Sequence, residues 1–259
     1  MISNNELNYN KLSDTYDKRY EYNKHTNITK AINRLIESFD YKSVLEIGSG
    51  TCYWLKNINN ELISKTGLDI SINMLKKSDY KNNKILVVNG DARFLPFKQH
   101  TFDFLFCVNV LHQIDNKRKT IEEAFRVLKN KGMLAVYTFD PRTEGDKWYL
   151  YDYFEGIREF DLNRFAPINQ ITKLLYSAGF RDVRVNTTEI VSDNKTGENV
   201  LRDPFLQKHG SSQTAILSES DYRKGIEKIK SKIKKDMLNG IQSVFPVRLT
   251  QFEISGMKI

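Results

Sequence analysis

The residues best suited to chemistry lie in Ser43–Tyr53, SVLEIGSGTCY, where a short apolar run leads into Glu46, Gly48, Ser49, Gly50 and Thr51. Glycines at a strand-to-helix turn let the backbone approach a ligand closely and aim the first helix amides at it. A dinucleotide-binding turn would want a third glycine where Tyr53 stands, and it would not place a carboxylate two residues before the first glycine. Glu46 instead suits a ligand that carries positive charge.

Further polar residues follow at the ends of later apolar runs: Asp69 in GLDIS, Asp91 in NGDARFLPF, and Asn109 and His112 in FDFLFCVNVLHQI. Together with E-x-G-x-G at Glu46–Gly50, this order resembles the class I S-adenosylmethionine-dependent methyltransferases, whose cofactor carries a sulfonium and an ammonium. The resemblance implies that Glu46, Gly48, Ser49 and Gly50 form the cofactor loop and that Asp69 accepts the ribose hydroxyls. It adds Ile70 and Met74 after Asp69, Asp91, Ala92 and Arg93 about the adenine, and Asn109 along the methionine end. Upstream, YNKLSDTYDKRY is similar to the amino-terminal signature of the ubiquinone/menaquinone-biosynthesis-like branch, in which Tyr16 and Asp17 would start a helix that lids the cofactor. Cys52 stands where many members carry a further glycine.

The implied reaction moves a methyl group from S-adenosylmethionine to a small organic acceptor on O, N or C, leaving S-adenosylhomocysteine. Because the sulfonium already activates the methyl group, alignment and exclusion of water can supply much of the catalysis. A base is needed only if the acceptor must lose a proton, and His112, just after the fourth apolar run, is the candidate. The stretch DPRTEGDKWYLYDYFEGIREF crowds aromatics together, so Trp148, Tyr151 and Tyr153, with Arg202 and Gln213 further on, are candidate acceptor contacts. The same aromatics could equally be the core of a lid.

The elements that must position these groups follow from hydrophobic period. Helical spacing at Leu7, Leu12, Tyr16 and Tyr20, and again over Thr26–Phe39, precedes short apolar runs that alternate with helical stretches from Ser43 to Phe139. That alternation predicts a doubly wound, mostly parallel, seven-stranded Rossmann-like α/β sheet. One helix is expected over Lys117–Lys129 with a stop at Asn130–Gly132, and another over Ile168–Ala178 ended by Gly179. RDVRVNTTEIV and the final PVRLTQFEISGMKI read as adjacent antiparallel strands. The organisation expected is one methyltransferase domain, 1–259: a lid at 1–40, a cofactor core at 41–140, and acceptor-covering segments at 141–165 and 192–244, the latter a helical insertion before the last strand.

Composition narrows the alternatives. Apolar residues are 40% and charged residues 28%, with 13 Gly and 5 Pro in 259 residues, which excludes a disordered or collagenous chain. No apolar run reaches membrane-spanning length, and the first twenty residues are polar, so a cytoplasmic protein is expected. Two cysteines suggest neither a disulfide framework nor a metal cluster. The net charge of +8 is concentrated in Arg223–Lys235, which holds seven basic side chains against Glu227, a net of +6. Ser218 is a plausible N-cap for this helix, with Tyr222, Ile226, Ile229, Ile233 and Met237 as its apolar stripe. Its basic faces leave open a tRNA or other RNA methyltransferase, or contact with an anionic membrane, although no RNA-binding module accompanies them.

Overall fold

The computed structural model describes residues 26–259, so the first expected helix and Tyr16 lie outside the described residues. Two compact units emerge. One comprises His25–Asp140, Phe165–Glu189 and Gln251–Ile259; the described part of the other comprises Pro141–Arg164 and Ile190–Thr250. Among the described residues, no helix is long and apolar enough to cross a membrane.

The first unit is the doubly wound α/β body that the periodicity predicts. Helix α1 (Thr26–Ser38) buries Ile28, Ala31, Ile32, Leu35 and Ile36, the apolar stripe of its sequence. Strands β1 (Ser43–Ile47), β2 (Ser64–Asp69), β3 (Ile85–Asn89), β4 (Phe102–Val108) and β5 (Leu128–Phe139) pair in parallel in the order β3-β2-β1-β4-β5. Between them run α2 (Tyr53–Lys56), α3 (Ile72–Lys77) and α4 (Lys117–Val127). After α7 (Ile168–Ala178) the chain enters β7 (Arg181–Ser192), and the final strand, β10 (Val247–Met257), pairs with β7 and runs antiparallel to β5. These seven strands are those expected; within the second unit a two-residue β6 (Lys147–Trp148) pairs with Val247 and Arg248 at the start of β10.

The continuous apolar run of β4 is explained by cover on both faces, since Phe104, Leu105 and Phe106 are all fully buried. Leu105 and Cys107 join Leu45, Ile47, Leu134 and Val136 in one core beneath α4 and α7. Burying each such aliphatic side chain contributes about 1.5–3 kcal/mol. Helix α7 stops at Gly179, whose φ of 107° is the left-handed C-cap the sequence announced.

One boundary differs. Helix α4 ends at Val127 and the chain turns straight into β5 at Leu128, with no loop at Asn130–Gly132. Leu128 pairs with Phe102, the Lys131 amide donates to the Lys258 carbonyl, and the Gly132 carbonyl accepts from the Lys258 amide. Long-range pairing thus recruits residues whose local chemistry reads as a turn.

The second unit contains α5 (Leu150–Tyr153), α6 (Ile157–Arg164), α8 (Ser212–Ala215) and the twenty-residue α9 (Glu219–Leu238). Strands β8 (Lys195–Thr196) and β9 (Val244–Phe245) pair antiparallel and close the stretch that holds α8 and α9. Ser218 caps α9 as expected, its Oγ accepting the Asp221 amide at 3.0 Å. The packed face of α9 centres on Ile229 and on a glycine that the apolar stripe omits, Gly225. A Cβ at Gly225 would lie 2.2 Å from a ring carbon of Phe154, itself buried.

Gly225→Ala tests that contact. Alanine favours a helix by about 1 kcal/mol, yet overpacking against a buried ring costs about 1–3 kcal/mol. The variant is expected to unfold at lower denaturant, and adding Phe154→Leu should recover part of the loss. A stabilised single variant would refute the packing.

Candidate active site

The polar residues singled out in the sequence converge where β1, β2, β3 and β4 end. The loop after β1 is pinned to β2 by its backbone: the Gly48 and Ser49 amides both donate to the Leu68 carbonyl, at 2.7 and 3.0 Å. Gly48 has φ of 70°, and a Cβ there would fall 2.5 Å from both methyl carbons of Val110, so only glycine lets the loops after β1 and β4 meet. Gly67 on β2 plays the complementary part: a Cβ on it would lie 2.7 Å from Ser49 Oγ. Neither Gly67 nor Val110 belongs to the E-x-G-x-G pattern, and close approach between separate strands leaves no local signal for either.

Asp69 ties the loop together. Its Oδ2 accepts the Gly50 amide at 2.8 Å and its Oδ1 accepts the Ser71 amide at 2.7 Å. A carboxylate has about four lone-pair sites, so each oxygen can still accept a hydroxyl. Burial raises the Asp69 pKa, and the two amides oppose that rise. Asn89 reaches across from β3, donating to the carbonyls of Asp69 and Ile70. Ile70 is 67% exposed, an apolar side chain presented beside this acid, whereas Met74, a residue of α3, is buried.

Glu46 is 1% exposed at the centre of the sheet. Its carboxylate accepts the Leu55 amide, but Oε2 is buried with no hydrogen-bond partner among the described residues. Burial first, and the neighbouring Asp69 charge second, push its pKa well above the usual glutamate value; the Leu55 amide pulls the other way. Cys52, with φ of 60° and a buried thiol, is held up at about 11 by burial and by Glu46. Asn109 adds a second buried acceptor without a donor among the described residues, its Oδ1, while its backbone amide donates to the Tyr137 carbonyl at 2.9 Å. Its φ of 53° is a left-handed conformation that asparagine tolerates better than most residues.

Asp91 forms an Asx turn. Its Oδ1 accepts the Arg93 amide at 2.8 Å, and the Arg93 guanidinium grips both carboxylate oxygens, holding the pKa below the ordinary aspartate value. Ala92 is buried between them. His112 sits on a single 3-10 turn, Leu111–Gln113, stacked on Phe165 with ring centroids 3.9 Å apart and Nε2 against Gln113.

The acceptor candidates fall in the second unit, where the structure separates them. Trp148, Tyr151 and Gln213 share one cluster: the Trp148 and Tyr151 rings meet edge-on, and Tyr151 Oη and Gln213 Nε2 both donate to Asp161, at 2.7 and 3.0 Å. Asp161 is fully buried and paired with Arg164 at 2.8 Å; Arg164 also bonds Ser212. Tyr153 packs on Phe245 instead, and Arg202 is exposed at the end of a 3-10 turn. Sequence reasoning missed Asp161, whose i,i+3 relation to Arg164 was the available signal.

These features define a sheet whose strand ends hold a glycine loop between two acids, and comparison with known proteins gives the same class. A methyltransferase-domain family model matches residues 45–136. An uncharacterized protein of Methanocaldococcus jannaschii is 30% identical over 199 residues, covering 76% of this chain and 92% of the relative. Human mitochondrial arginine-hydroxylase NDUFAF5 is 29% identical over 68% of this chain and 52% of its own length, so the chain spans about half of it. Demethylmenaquinone methyltransferase of Listeria welshimeri is 26% identical over 68% of this chain and 87% of the relative. A solved structure of a candidate methyltransferase from an antibiotic biosynthesis pathway of Anabaena variabilis superposes with TM-score 0.64 at 20% identity, over 87% of this chain and 96% of that one. The chain belongs to the class I S-adenosylmethionine-dependent methyltransferases, and S-adenosylmethionine is its cofactor.

The orphaned acceptors fit such a cofactor, since Glu46 Oε2 and Asn109 Oδ1 want donors, and a cation would offset the desolvation of Glu46. Without one, Glu46 opposes folding. Its folded pKa is raised, so its contribution to stability is most favourable below the ordinary glutamate value and is lost as pH climbs from there toward the folded value. Glu46→Gln should therefore raise the Tm of the cofactor-free protein at neutral pH by about 2–4 °C, with the gain vanishing near pH ~4. A gain that is equal at both pH values, or absent, would overturn this account.

Proposed function

We propose that this enzyme transfers the S-adenosylmethionine methyl group to a small organic acceptor. The observation that carries the assignment is Asp69, fixed by the Gly50 and Ser71 amides beside the half-satisfied, buried Glu46. In this reading Glu46 and Asn109 receive the amino-acid end of the cofactor and Asp69 the ribose. Ile70 and the turn at Asp91, Ala92 and Arg93 border the adenine. The bound cofactor supplies a methyl group already activated by positive sulfur. The protein's part is to hold acceptor and methyl in line and keep water out. A small acceptor is supported by the Listeria relative, whose name specifies a demethylmenaquinone, and by a second unit built around an aromatic core that includes Trp148 and Tyr151. Acceptor choice is assigned to that unit, segments 141–165 and 192–244.

His112 is read as a positioning residue. Its ring is committed to the stack on Phe165 and to Gln113, which fixes the turn after Asn109. His112→Gln should lower kcat less than about tenfold and leave the pH profile of kcat unchanged; loss of one limb of that profile would make it the general base.

Two measurements check the assignment. Calorimetry should show S-adenosylhomocysteine binding that Asp69→Ala weakens about tenfold or more, the worth of hydrogen bonds to a charged group. With methyl-labelled cofactor and separated small-molecule, RNA and protein fractions of a cell extract, label should enter the small-molecule fraction. Label in RNA or protein would overturn the acceptor class, and no binding would overturn the cofactor geometry.

A further inference from the structure

Helix α9 packs through one face, where Gly225 and Ile229 are buried, and turns the other outward. Two adjacent stripes make up that outward face. Arg223, Glu227, Lys230, Lys234 and Leu238 recur at spacings of four and three, and Lys224, Lys228, Ser231 and Lys235 form the next row; all nine are exposed. Glu227 is engaged by Lys230 at 3.3 Å, which leaves the face strongly cationic. The row ends on aliphatic side chains held out of the protein: Met237 is 69% exposed, Leu238 75%, Ile241 60% and Val244 47%.

Isolated exposed apolar residues are ordinary, but four within eight residues at the tip of a lysine-rich helix are not explained by packing. We propose that this face docks on an anionic lipid bilayer, the lysines and Arg223 lying on the headgroups while Met237, Leu238, Ile241 and Val244 enter the interfacial layer. Charge complementarity selects an anionic surface, and the aliphatic tip selects lipid over nucleic acid. RNA would instead reward stacking side chains, and residues 223–244 contain no aromatic. The inference is independent of which acceptor is methylated.

Vesicle co-sedimentation of the full chain tests it, using phosphatidylcholine alone and phosphatidylcholine with about one third phosphatidylserine. Binding is expected to the anionic vesicles alone and to fall with salt. Lys234→Gln/Lys235→Gln should weaken it by about tenfold or more. Leu238→Ser/Ile241→Ser should weaken it even at low salt, with melting temperature and S-adenosylhomocysteine binding unchanged because both side chains are exposed. Equal binding to neutral vesicles, no binding to either, or insensitivity to the Leu238/Ile241 change would overturn the proposal. So would an RNA oligonucleotide that displaces the protein from anionic vesicles at equal phosphate concentration.

Discussion

A pair of carboxylates, Glu46 and Asp69, without a basic partner at hydrogen-bond range among the described residues is the constraint around which these strand ends are arranged. Glu46 is buried and Asp69 half-buried; backbone amides from Leu55, Gly50 and Ser71 are what the fold offers them. Amides stabilise an anion through partial charges and leave lone pairs to spare, whereas a lysine or arginine would neutralise the site and compete with a cationic ligand. The folded protein accepts an unfavourable buried acid, which, under the proposed function, a bound sulfonium and ammonium would relieve.

Holding those acids demands close approach of three strand ends. Gly48 lets Val110 sit against the first loop, and Gly67 lets Ser49 sit against β2. Asn109 turns the chain sharply after β4 in a left-handed conformation, with its amide bonded back to β5. The stack of His112 on Phe165 then fixes the following turn. Parallel pairing places these ends on one edge of the sheet, so residues sixty positions apart meet without any one of them being unusual in its own segment.

The second unit uses a different device. Its aromatic residues form a core: Trp148 with Tyr151 and Phe205, Tyr149 and Tyr153 with Phe245, Phe154 with Tyr222. Two buried aspartates organise it. Asp203 accepts the Tyr149 hydroxyl, and Asp161 collects Tyr151, Gln213 and Arg164, joining α6 to α8. Side chains that read as acceptor contacts by type are therefore bonded within the unit. In the first unit, Glu253 is likewise buried among Tyr137, Arg34 and Asn186.

The sequence by itself determined the parts governed by local periodicity and local turn chemistry. The alternation of strands and helices, the cap at Ser218 and the stop at Gly179 were legible, because a helix face, a cap or a tight turn is encoded within a few residues, whereas the set Glu46, Gly48, Gly50, Asp69, Asp91 and Asn109 was read through its resemblance to a family. Tertiary structure decided what depends on distant neighbours. The early end of α4 follows from pairing with β4 and with the last strand, and the need for Gly67 and Gly225 arises from Ser49 and Phe154. The engagement of Tyr151 and Gln213 follows from Asp161, and the exposure of Leu238 from the direction in which α9 packs. A side chain's type and spacing say what it can do, but burial, desolvation and partners across the fold decide what it does.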